Sequence, residues 1–305
     1  MRCTAFIDAV AMAAGRVPLR AFQDGPTAPA RADKRPLAPS IAEARAQHRL
    51  ILIAEDDPVN QKVILRQLGL LGLAGEVADD GVEALRLWRE GGHALLLSDL
   101  HMPNMDGYAL AQSIRGEETA QASRIRLPIL ALTANALRGE ASHAHAAGMD
   151  EYLTKPIQLQ VLKAALQKWM PEVDTPPGSL GTAAPTEGAR TAVDLSVLHA
   201  RVGDDPQTVD ELLTDYVAAA RDLAAGIQEA FVAGDLGRLA AGAHRLKSSS
   251  RAVGALALGE LGAELETTSR AGAADAVRPW IDRFVHEVAR VEACLQAALP
   301  SLPQS

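Results

Sequence analysis

The stretch Leu50-Ile-Leu-Ile-Ala-Glu-Asp-Asp57 places five apolar residues directly before three acids. A continuous apolar run of this length is typical of a strand buried on both faces, as the strands of parallel sheets are. Acids that follow such a strand emerge at the carboxyl edge of the sheet, where α/β proteins place their functional sites. The stretch therefore predicts both a fold class and the location of a site.

Four more strand candidates follow this run, and helical patterns separate them. The segments between the strands repeat apolar residues at helical spacing, for example Val82, Leu85 and Trp88. Strands that alternate with helices pair in parallel through right-handed crossovers. We therefore predict an α/β doubly wound five-stranded parallel sheet over residues 49–171. The further strands are predicted at Glu76–Ala78, Ala94–Leu97, Pro128–Leu132 and Glu151–Leu153.

A second region of the chain has no strand pattern. Residues 172–193 are rich in Pro, Gly, Thr and Ala, which predicts a flexible linker. From Asp194 onward, apolar stripes at helical spacing are separated by short breaks such as Gly234-Asp235. We predict an all-α antiparallel bundle over residues 194–298, with four main helices after a short leading one. Residues 299–305 are left as a tail.

The first 48 residues contain fewer structural signals. Residues 1–15 predict a short helix, and residues 16–48 predict a linker because they are rich in Pro, Ala, Arg and Asp without periodicity. A signal peptide is disfavoured because Asp8 interrupts the apolar run at the N-terminus. No apolar run approaches the roughly 18–20 residues of a membrane span. We therefore expect no membrane insertion.

The composition narrows the class of protein. The chain of 305 residues has a formal net charge of -8, which argues against a nucleic-acid partner because nucleic-acid binders carry basic surfaces. Its two cysteines, Cys3 and Cys294, lie at opposite ends and form no metal-binding or disulfide pattern. Such cysteine usage is typical of a reducing compartment, so a cytoplasmic location is expected.

Polar residues follow four of the predicted strands. Glu55 and Asp56 follow the first strand, Asp99 the third, Thr133 the fourth and Lys155 the fifth. In a parallel sheet all these groups emerge at one edge. Three neighbouring carboxylates repel one another unless a cation lies among them, and ligands that are all oxygen suit Mg²⁺. A single acid at a strand end is more often a helix cap, but the five residues together favour a magnesium site.

The same residues suit phosphoryl transfer. A carboxylate can accept a phosphoryl group as an acyl phosphate. The transfer requires positioning and charge neutralisation, which Mg²⁺ and Lys155 would supply. Asp99 is the best candidate acceptor because its strand is central, between the acid pair and Thr133.

Four motifs in this region closely resemble those of two-component receiver (response regulator) domains. The resemblance covers about residues 49–171 and implies a flavodoxin-like fold with Asp99 as phosphoacceptor and Lys155 as phosphate partner. The motifs are AEDDPVNQ (54–61), SDLHMPNMDGY (98–108), LTANA (132–136) and YLTKPI (152–157).

The receiver resemblance also implies further roles. Glu55, Asp56 and Asp99 would bind Mg²⁺ together with the backbone carbonyl of His101. The side chain of His101 is expected to have no role, since its position varies in the family. Thr133 would be the switch hydroxyl and Tyr152 the aromatic residue that rotates with it.

His244 lies on the polar side of a predicted helix. At about 100° per residue it is about 160° from Leu246, so we expect it to point away from the bundle core toward solvent. Lys247, Ser248 and Arg251 stand on its face of the helix, at i+3, i+4 and i+7. A neutral imidazole can accept a phosphoryl group, and the neighbouring cations could bind it. The plainer interpretation is a solvated histidine on a basic helix face.

The run AHRLKSSSRAVGA (243–255) resembles the signature of histidine-phosphotransfer (HPt) domains. By that resemblance His244 is the phosphoacceptor and Lys247 its phosphate partner. Ser248 departs from the signature, which usually has a glycine at this position. That glycine gives clearance to a docking receiver. Residues 5–16 resemble the last helix of a preceding receiver, and the order of domains resembles the C-terminal part of a hybrid sensor histidine kinase.

These resemblances imply a phosphorelay. A phosphoryl group would pass from the histidine of an upstream sensor histidine kinase to Asp99, then to His244, then to a downstream response regulator. We find no Asp-x-Gly-x-Gly or Gly-x-Gly box in the sequence, so we do not expect an independent ATP-using kinase. Two alternatives stay open. Phosphorylation of Asp99 could switch partner binding while His244 is inert, or the same residues could drain phosphate from a cognate regulator. Transfer within one chain or between chains also stays open.

Overall fold

The computed structural model describes residues 38–120, 126–134, 138–171, 192–272 and 274–298. Five strands form one sheet, namely β1 Leu50–Ala54, β2 Gly75–Ala78, β3 His93–Asp99, β4 Ile129–Thr133 and β5 Glu151–Thr154. Their order is β2-β1-β3-β4-β5, and every neighbouring pair is parallel. The predicted doubly wound sheet is confirmed, and β3 extends beyond its predicted end to include Asp99 itself.

Helices cover both faces of this sheet. Ile51 and Ile53 of β1 point to one face, where they pack with the apolar sides of α2 and α6, whereas Leu52 points to the other face with α3 and α4. The alternation explains why β1 is apolar at every position. The described helices here are α1 Ile41–Ala46, α2 Pro58–Leu70, α3 Gly81–Glu90, α4 Gly107–Ala120, α5 Arg138–Ala146 and α6 Leu159–Trp169.

Local sequence sets the helix that follows β1. The side chain of Asp57 accepts hydrogen bonds from the backbone N–H groups of Val59 and Asn60, and Pro58 occupies the first helical position. Both features are typical of a helix start, so α2 begins immediately after the acid pair. Gly107 is the first residue of α4 and lies close to the end of β3. A larger residue would not fit there, because its Cβ atom would lie 2.2 Å from the carbonyl oxygen of Asp99.

The second region is helical throughout its described residues. A short helix, α7 Leu195–Val202, precedes four long ones, which are α8 Pro206–Val232, α9 Leu236–Val253, α10 Leu256–Arg270 and α11 Ala274–Ala298. This is the predicted bundle. Gly254 ends α9 with a φ of 90°, a conformation that favours glycine. Tyr216 is fully buried in the core, and its hydroxyl lies 3.0 Å from that of Ser250.

The sheet domain and the bundle belong to one compact unit. Helix α2 of the sheet domain lies against α7, α8 and α9 of the bundle. Val59 and Val63 of α2 are buried within the same apolar cluster as the bundle core. An apolar seam therefore joins the two domains.

Part of the predicted domain organisation lies outside the described residues. This holds for the helix predicted at 1–15, for most of both predicted linkers and for the tail. Within residues 16–48 the structure shows α1, which begins at a capping box formed by Ser40 and Glu43. This helix is not predicted from the sequence, because its six residues are too few to show periodicity.

Candidate functional site

Three carboxylates meet at the carboxyl edge of the sheet. Glu55 and Asp56 follow β1, and Asp99 ends β3, the central strand beside it. One carboxylate oxygen from each residue lies within 4.8 Å of the other two. Glu55 is 0% exposed and Asp99 is 2% exposed. The parallel sheet thus brings together acids that are more than forty positions apart in the chain.

Lys155, which directly follows β5, lies beside this cluster. Its ammonium nitrogen lies 2.6 Å from Asp99 Oδ2 and 2.6 Å from Glu55 Oε2. Burial alone would lower the pKa of Lys155, but the charges of Asp99 and Glu55 outweigh it and raise that pKa above its ordinary value. Burial would likewise raise the pKa of Asp99, yet Lys155 and His244 hold it below its ordinary value. Lys155 and Asp99 are therefore both charged.

The ionised forms of the other two acids, Glu55 and Asp56, are disfavoured. Burial raises the pKa of Glu55 to about 8 against the opposing effect of Lys155, and the charge of Asp99 raises it further. Burial and Asp99 together raise the pKa of Asp56 to about 6. A hard divalent cation among the three acids would offset this repulsion. The donor set, made up of carboxylate oxygens, therefore fits Mg²⁺.

The remaining sheet residues lie around the acids as their strand positions predict. Thr133 ends β4 and is buried, and its carbonyl oxygen accepts a hydrogen bond of 2.6 Å from the backbone N–H of Lys155. Tyr152 lies on β5, two residues before the end of that strand, with 47% of its surface exposed. The backbone N–H of His101 donates to Asp99 Oδ1 at 3.3 Å. The carbonyl of His101 as a metal ligand stays a prediction.

The imidazole of His244 lies opposite the acids, on α9 of the bundle. It is only 5% exposed, so the expectation that this ring faces solvent is wrong. Two residues of the sheet domain, His101 and Asp99, lie beside this ring. A ring nitrogen of His244, a ring nitrogen of His101 and a carboxylate oxygen of Asp99 all lie within 4.8 Å of one another.

The side chain of His101 also departs from its expected behaviour. Its ring centroid lies 5.0 Å from that of His244, with the two planes tilted by 56°. From the sequence we expect no role for this side chain. In the structure it packs directly against the imidazole that faces Asp99.

Two family models match the chain. That of the response regulator receiver domain matches residues 51–167, and that of the Hpt domain matches residues 211–298. The chain carries a receiver domain followed by an Hpt domain. Neither of these two models is that of a kinase domain.

Curated proteins that are similar to this chain include sensor proteins. The chain is 31% identical over 253 residues to the virulence sensor protein BvgS of Bordetella pertussis, an alignment that covers 82% of this chain and 20% of BvgS. It is 42% identical over 117 residues to the sensor histidine kinase RcsC of Salmonella typhimurium, covering 38% of this chain and 12% of RcsC. The chain thus spans a fifth or less of the length of these relatives.

Solved structures include similar receiver domains. One is the receiver domain of the sensor histidine kinase PA1611 of Pseudomonas aeruginosa, with a magnesium ion coordinated in its active-site cleft. It is 40% identical, with 40% of this chain and 96% of that chain covered and a TM-score of 0.36.

Among the described residues of the present chain, no helix combines the length and the apolar character that a membrane crossing requires.

Glu266 is a residue of the Hpt domain that the sequence analysis missed. It lies on α10, where Oε1 is 2.8 Å from His244 Nδ1 and Oε2 is 2.6 Å from the ammonium of Lys247. Burial would raise the pKa of Glu266, but His244 and Lys247 lower it to about 2. A sequence signal did exist, since an acid directly follows Leu265 in an apolar stripe, but nothing in the sequence says which helix it faces.

The predicted neighbours of His244 are placed differently from one another. Lys247 is buried, and its ammonium nitrogen lies 3.5 Å from His244 Nδ1 while it pairs with Glu266. Arg251 pairs instead with Glu260 on α10 at 2.8 Å. Roles for Lys247 and Arg251 at a phosphate stay predictions.

The receiver and Hpt domains also share polar contacts that the sequence analysis missed. Asn60 of α2 donates one hydrogen bond to Ser248 and another to Glu55. Arg245, directly after His244, lies with Nε 3.4 Å from Asp56 Oδ2 and donates from Nη2 to the Asp56 carbonyl oxygen at 3.2 Å. Helix α9 is thus linked to the carboxylate cluster in two ways. Arg245 contacts Asp56 directly, whereas Ser248 is linked to Glu55 through Asn60.

Proposed function

We propose that this chain is a phosphorelay intermediate in which a phosphoryl group passes between Asp99 and His244. The observation that carries the proposal is the approach of an Asp99 carboxylate oxygen to within 4.8 Å of a His244 ring nitrogen, in one compact unit. This separation is suited to a phosphorus atom that is handed from one acceptor to the other. The domain boundaries that we propose are 49–171 for the receiver and 194–298 for the Hpt domain.

The hydrogen bond that His244 Nδ1 donates to Glu266 prepares the imidazole for this transfer. A carboxylate near Nδ1 favours the tautomer that carries its proton there, and it leaves the lone pair on Nε2. In the forward step, Nε2 of His244 forms a bond to phosphorus while the bond from phosphorus to the Asp99 oxygen breaks. The electron pair of the broken bond returns to Asp99 as a carboxylate. The Nδ1 proton stays on the ring, whose new positive charge Glu266 offsets.

Positive charge in the receiver domain would support phosphorylation of Asp99. Lys155 already holds Asp99 at 2.6 Å and would pair with an oxygen of the phosphoryl group once Asp99 is modified. We propose that Mg²⁺ is held by Glu55, Asp56, Asp99 and the carbonyl of His101. When bound, it supplies positive charge that neutralises the phosphoryl oxygens.

The partners follow from the two acceptors. An upstream sensor histidine kinase would charge Asp99, and a downstream response regulator would take the group from His244. Thr133 and Tyr152 are proposed to act as the receiver's switch pair, while Lys247, Ser248 and Arg251 form the surroundings of the Hpt acceptor. A second receiver can reach His244 only after the chain's own receiver has left, because that ring is buried in the docked state.

Labelled acetyl phosphate tests the proposal. In the presence of Mg²⁺, the wild-type chain should carry both an acyl phosphate on Asp99 and an acid-labile, base-stable phosphate on His244. Asp99→Asn should carry neither, because His244 receives its group from Asp99. His244→Gln should keep the acyl phosphate alone.

The outcomes separate this function from the alternative in which His244 is inert. Normal label on Asp99→Asn would refute Asp99 as first acceptor. Label on Asp99 with none on His244 would leave a phosphorylation-gated interaction protein. Mixing Asp99→Asn chains with His244→Gln chains then measures transfer between molecules. If most of the transfer occurs within one chain, the mixture should label His244 more slowly than the wild type does.

A further inference from the structure

The side chain of Asn60 links helix α9 of the Hpt domain to Glu55 of the receiver's carboxylate cluster. The amide nitrogen of Asn60 lies 2.9 Å from the hydroxyl oxygen of Ser248 and 3.0 Å from Glu55 Oε1. Asn60 is 6% exposed and Ser248 is 7% exposed. A side-chain amide has two hydrogens to donate, so it can serve both acceptors at once.

The position of this bond makes it sensitive to how the domains dock. Ser248 is one helical turn after His244, and Asn60 is one residue away from Val59 in the apolar seam. A cavity between the domains is lined by Asn60, Gln67, Lys155 and Ser248 among others. A shift of the receiver along α9 would separate the hydroxyl from the amide and leave both buried.

We propose that Ser248 is a specificity-determining residue of the Hpt domain, which selects a receiver that presents an amide donor at the position of Asn60. This inference rests on the proposed function, since it names which receiver the acceptor histidine accepts. With glycine at this position, as in the signature that the sequence resembles, the Hpt helix would have no hydroxyl to accept the bond. Serine gives less clearance, and it adds a hydroxyl that only a receiver with a suitable donor can satisfy.

The physical basis is the cost of a buried polar group without a partner. A receiver that lacks the donor leaves the Ser248 hydroxyl without its bond in a buried contact, which disfavours docking. The same amide contacts Glu55, so a receiver that docks correctly also has its acid cluster aligned with His244. Ser248 is thus a positioning residue that acts through Asn60.

The first experiment measures docking in the full chain without metal. His244 is buried in the docked state, so docking should protect it from diethylpyrocarbonate, and mass spectrometry gives the modification rate of that residue. Ser248→Ala should increase the rate by about three- to tenfold, the range expected for one net hydrogen bond. Ser248→Thr keeps the hydroxyl and adds a methyl group beside the cavity, so it should retain protection. Ser249→Ala is the matched control, since that hydroxyl bonds to backbone carbonyls of its own helix.

The second experiment measures transfer. His244 is charged with phosphoramidate in EDTA, the reagent is removed, and Mg²⁺ starts the return of the group to Asp99. Ser248→Ala should slow this step by about three- to tenfold. Asn60→Ala should slow it similarly, and the double variant should be no slower than the slower single variant, because both remove one shared contact. Charging of Asp99 by acetyl phosphate in a His244→Gln background should not be slowed by Ser248→Ala, because that reaction needs no contact between the domains.

Clear results would overturn the inference. One such result is a Ser248→Ala variant with the modification rate and the transfer rate of the wild type. The other is a double variant in which the two losses of transfer rate multiply. Either result would show that Ser248 does not act through Asn60. Failure of the proposed function has a different appearance, because then wild-type His244 would neither receive nor return a phosphoryl group. The protection experiment remains decisive in that case, as it needs no phosphoryl transfer.

Discussion

Glu266→Gln is expected to weaken the Hpt domain in a manner that depends on pH. Glu266 is almost buried, and its carboxylate contacts His244 at 2.8 Å, Lys247 at 2.6 Å and Arg270 at 2.9 Å. Glutamine keeps the size of the side chain but removes its charge, so Lys247 is left buried without its counterion. We expect both a loss of stability and slower phosphorylation of His244.

The magnitude follows from the pKa of Glu266, which is lowered from 4.5 to about 2. Each pKa unit is worth about 1.4 kcal/mol, so the ionised carboxylate contributes about 3 kcal/mol to the free energy of unfolding at pH 7. A lowered pKa contributes fully above the unfolded value and is lost as pH falls toward the folded value. At pH 3 the contribution should therefore shrink to about 1.4 kcal/mol.

Urea unfolding followed by circular dichroism at 222 nm measures this difference. The wild type should exceed Glu266→Gln by about 3 kcal/mol at pH 7 and by about half as much at pH 3. Glu264→Gln is the matched control, because it removes the same charge from an exposed position on the same helix and should cost little. Equal stability of Glu266→Gln and wild type at both pH values would refute this account of the buried carboxylate.

Three further outcomes are expected. Val59→Ala removes two methyl groups from the apolar seam between the domains, so it should weaken docking by about 1–2 kcal/mol and increase modification of His244 by diethylpyrocarbonate; unchanged protection would show that the seam does not hold the receiver. Gly107→Ala places a Cβ atom 2.2 Å from the carbonyl oxygen of Asp99, so thermal unfolding should begin at a lower temperature and acetyl phosphate labelling should fall, whereas Gly116→Ala, which meets no atom within 4 Å, should leave both unchanged. Chelation with EDTA should abolish labelling by acetyl phosphate, and Mg²⁺ should restore it where Na⁺ at equal charge does not; persistent labelling in EDTA would contradict the proposed role of the acid cluster.

Much of the receiver site could be predicted from the sequence, because parallel strands place their ends at one edge. Glu55, Asp99 and Lys155 each lie at or directly after the end of a strand, and the apolar residues of each strand identify it in the sequence. Hydrogen bonding between the strands then fixes where these three residues meet. The structure accordingly brings these three side chains into direct contact. The same periodicity was sufficient to predict the bundle and its short leading helix.

The surroundings of His244 could not be predicted in the same way. Helical periodicity identifies which side of α9 is apolar, but it does not say which neighbour lies against the polar side. Glu266 reaches His244 from another helix, and His101 reaches it from another domain. Both contacts depend on how the helices rotate and how the domains dock, which no local pattern encodes.

The sequence by itself determined the two folds, the edge where the acids gather and the helix that carries the histidine, since these follow from periodicity within single elements. Only the tertiary structure decided that the receiver covers His244, that Glu266 holds its Nδ1 and that Asn60 joins Ser248 to Glu55. Each of these contacts joins residues from different elements, and its geometry arises from packing between apolar surfaces rather than from the order of residues along the chain.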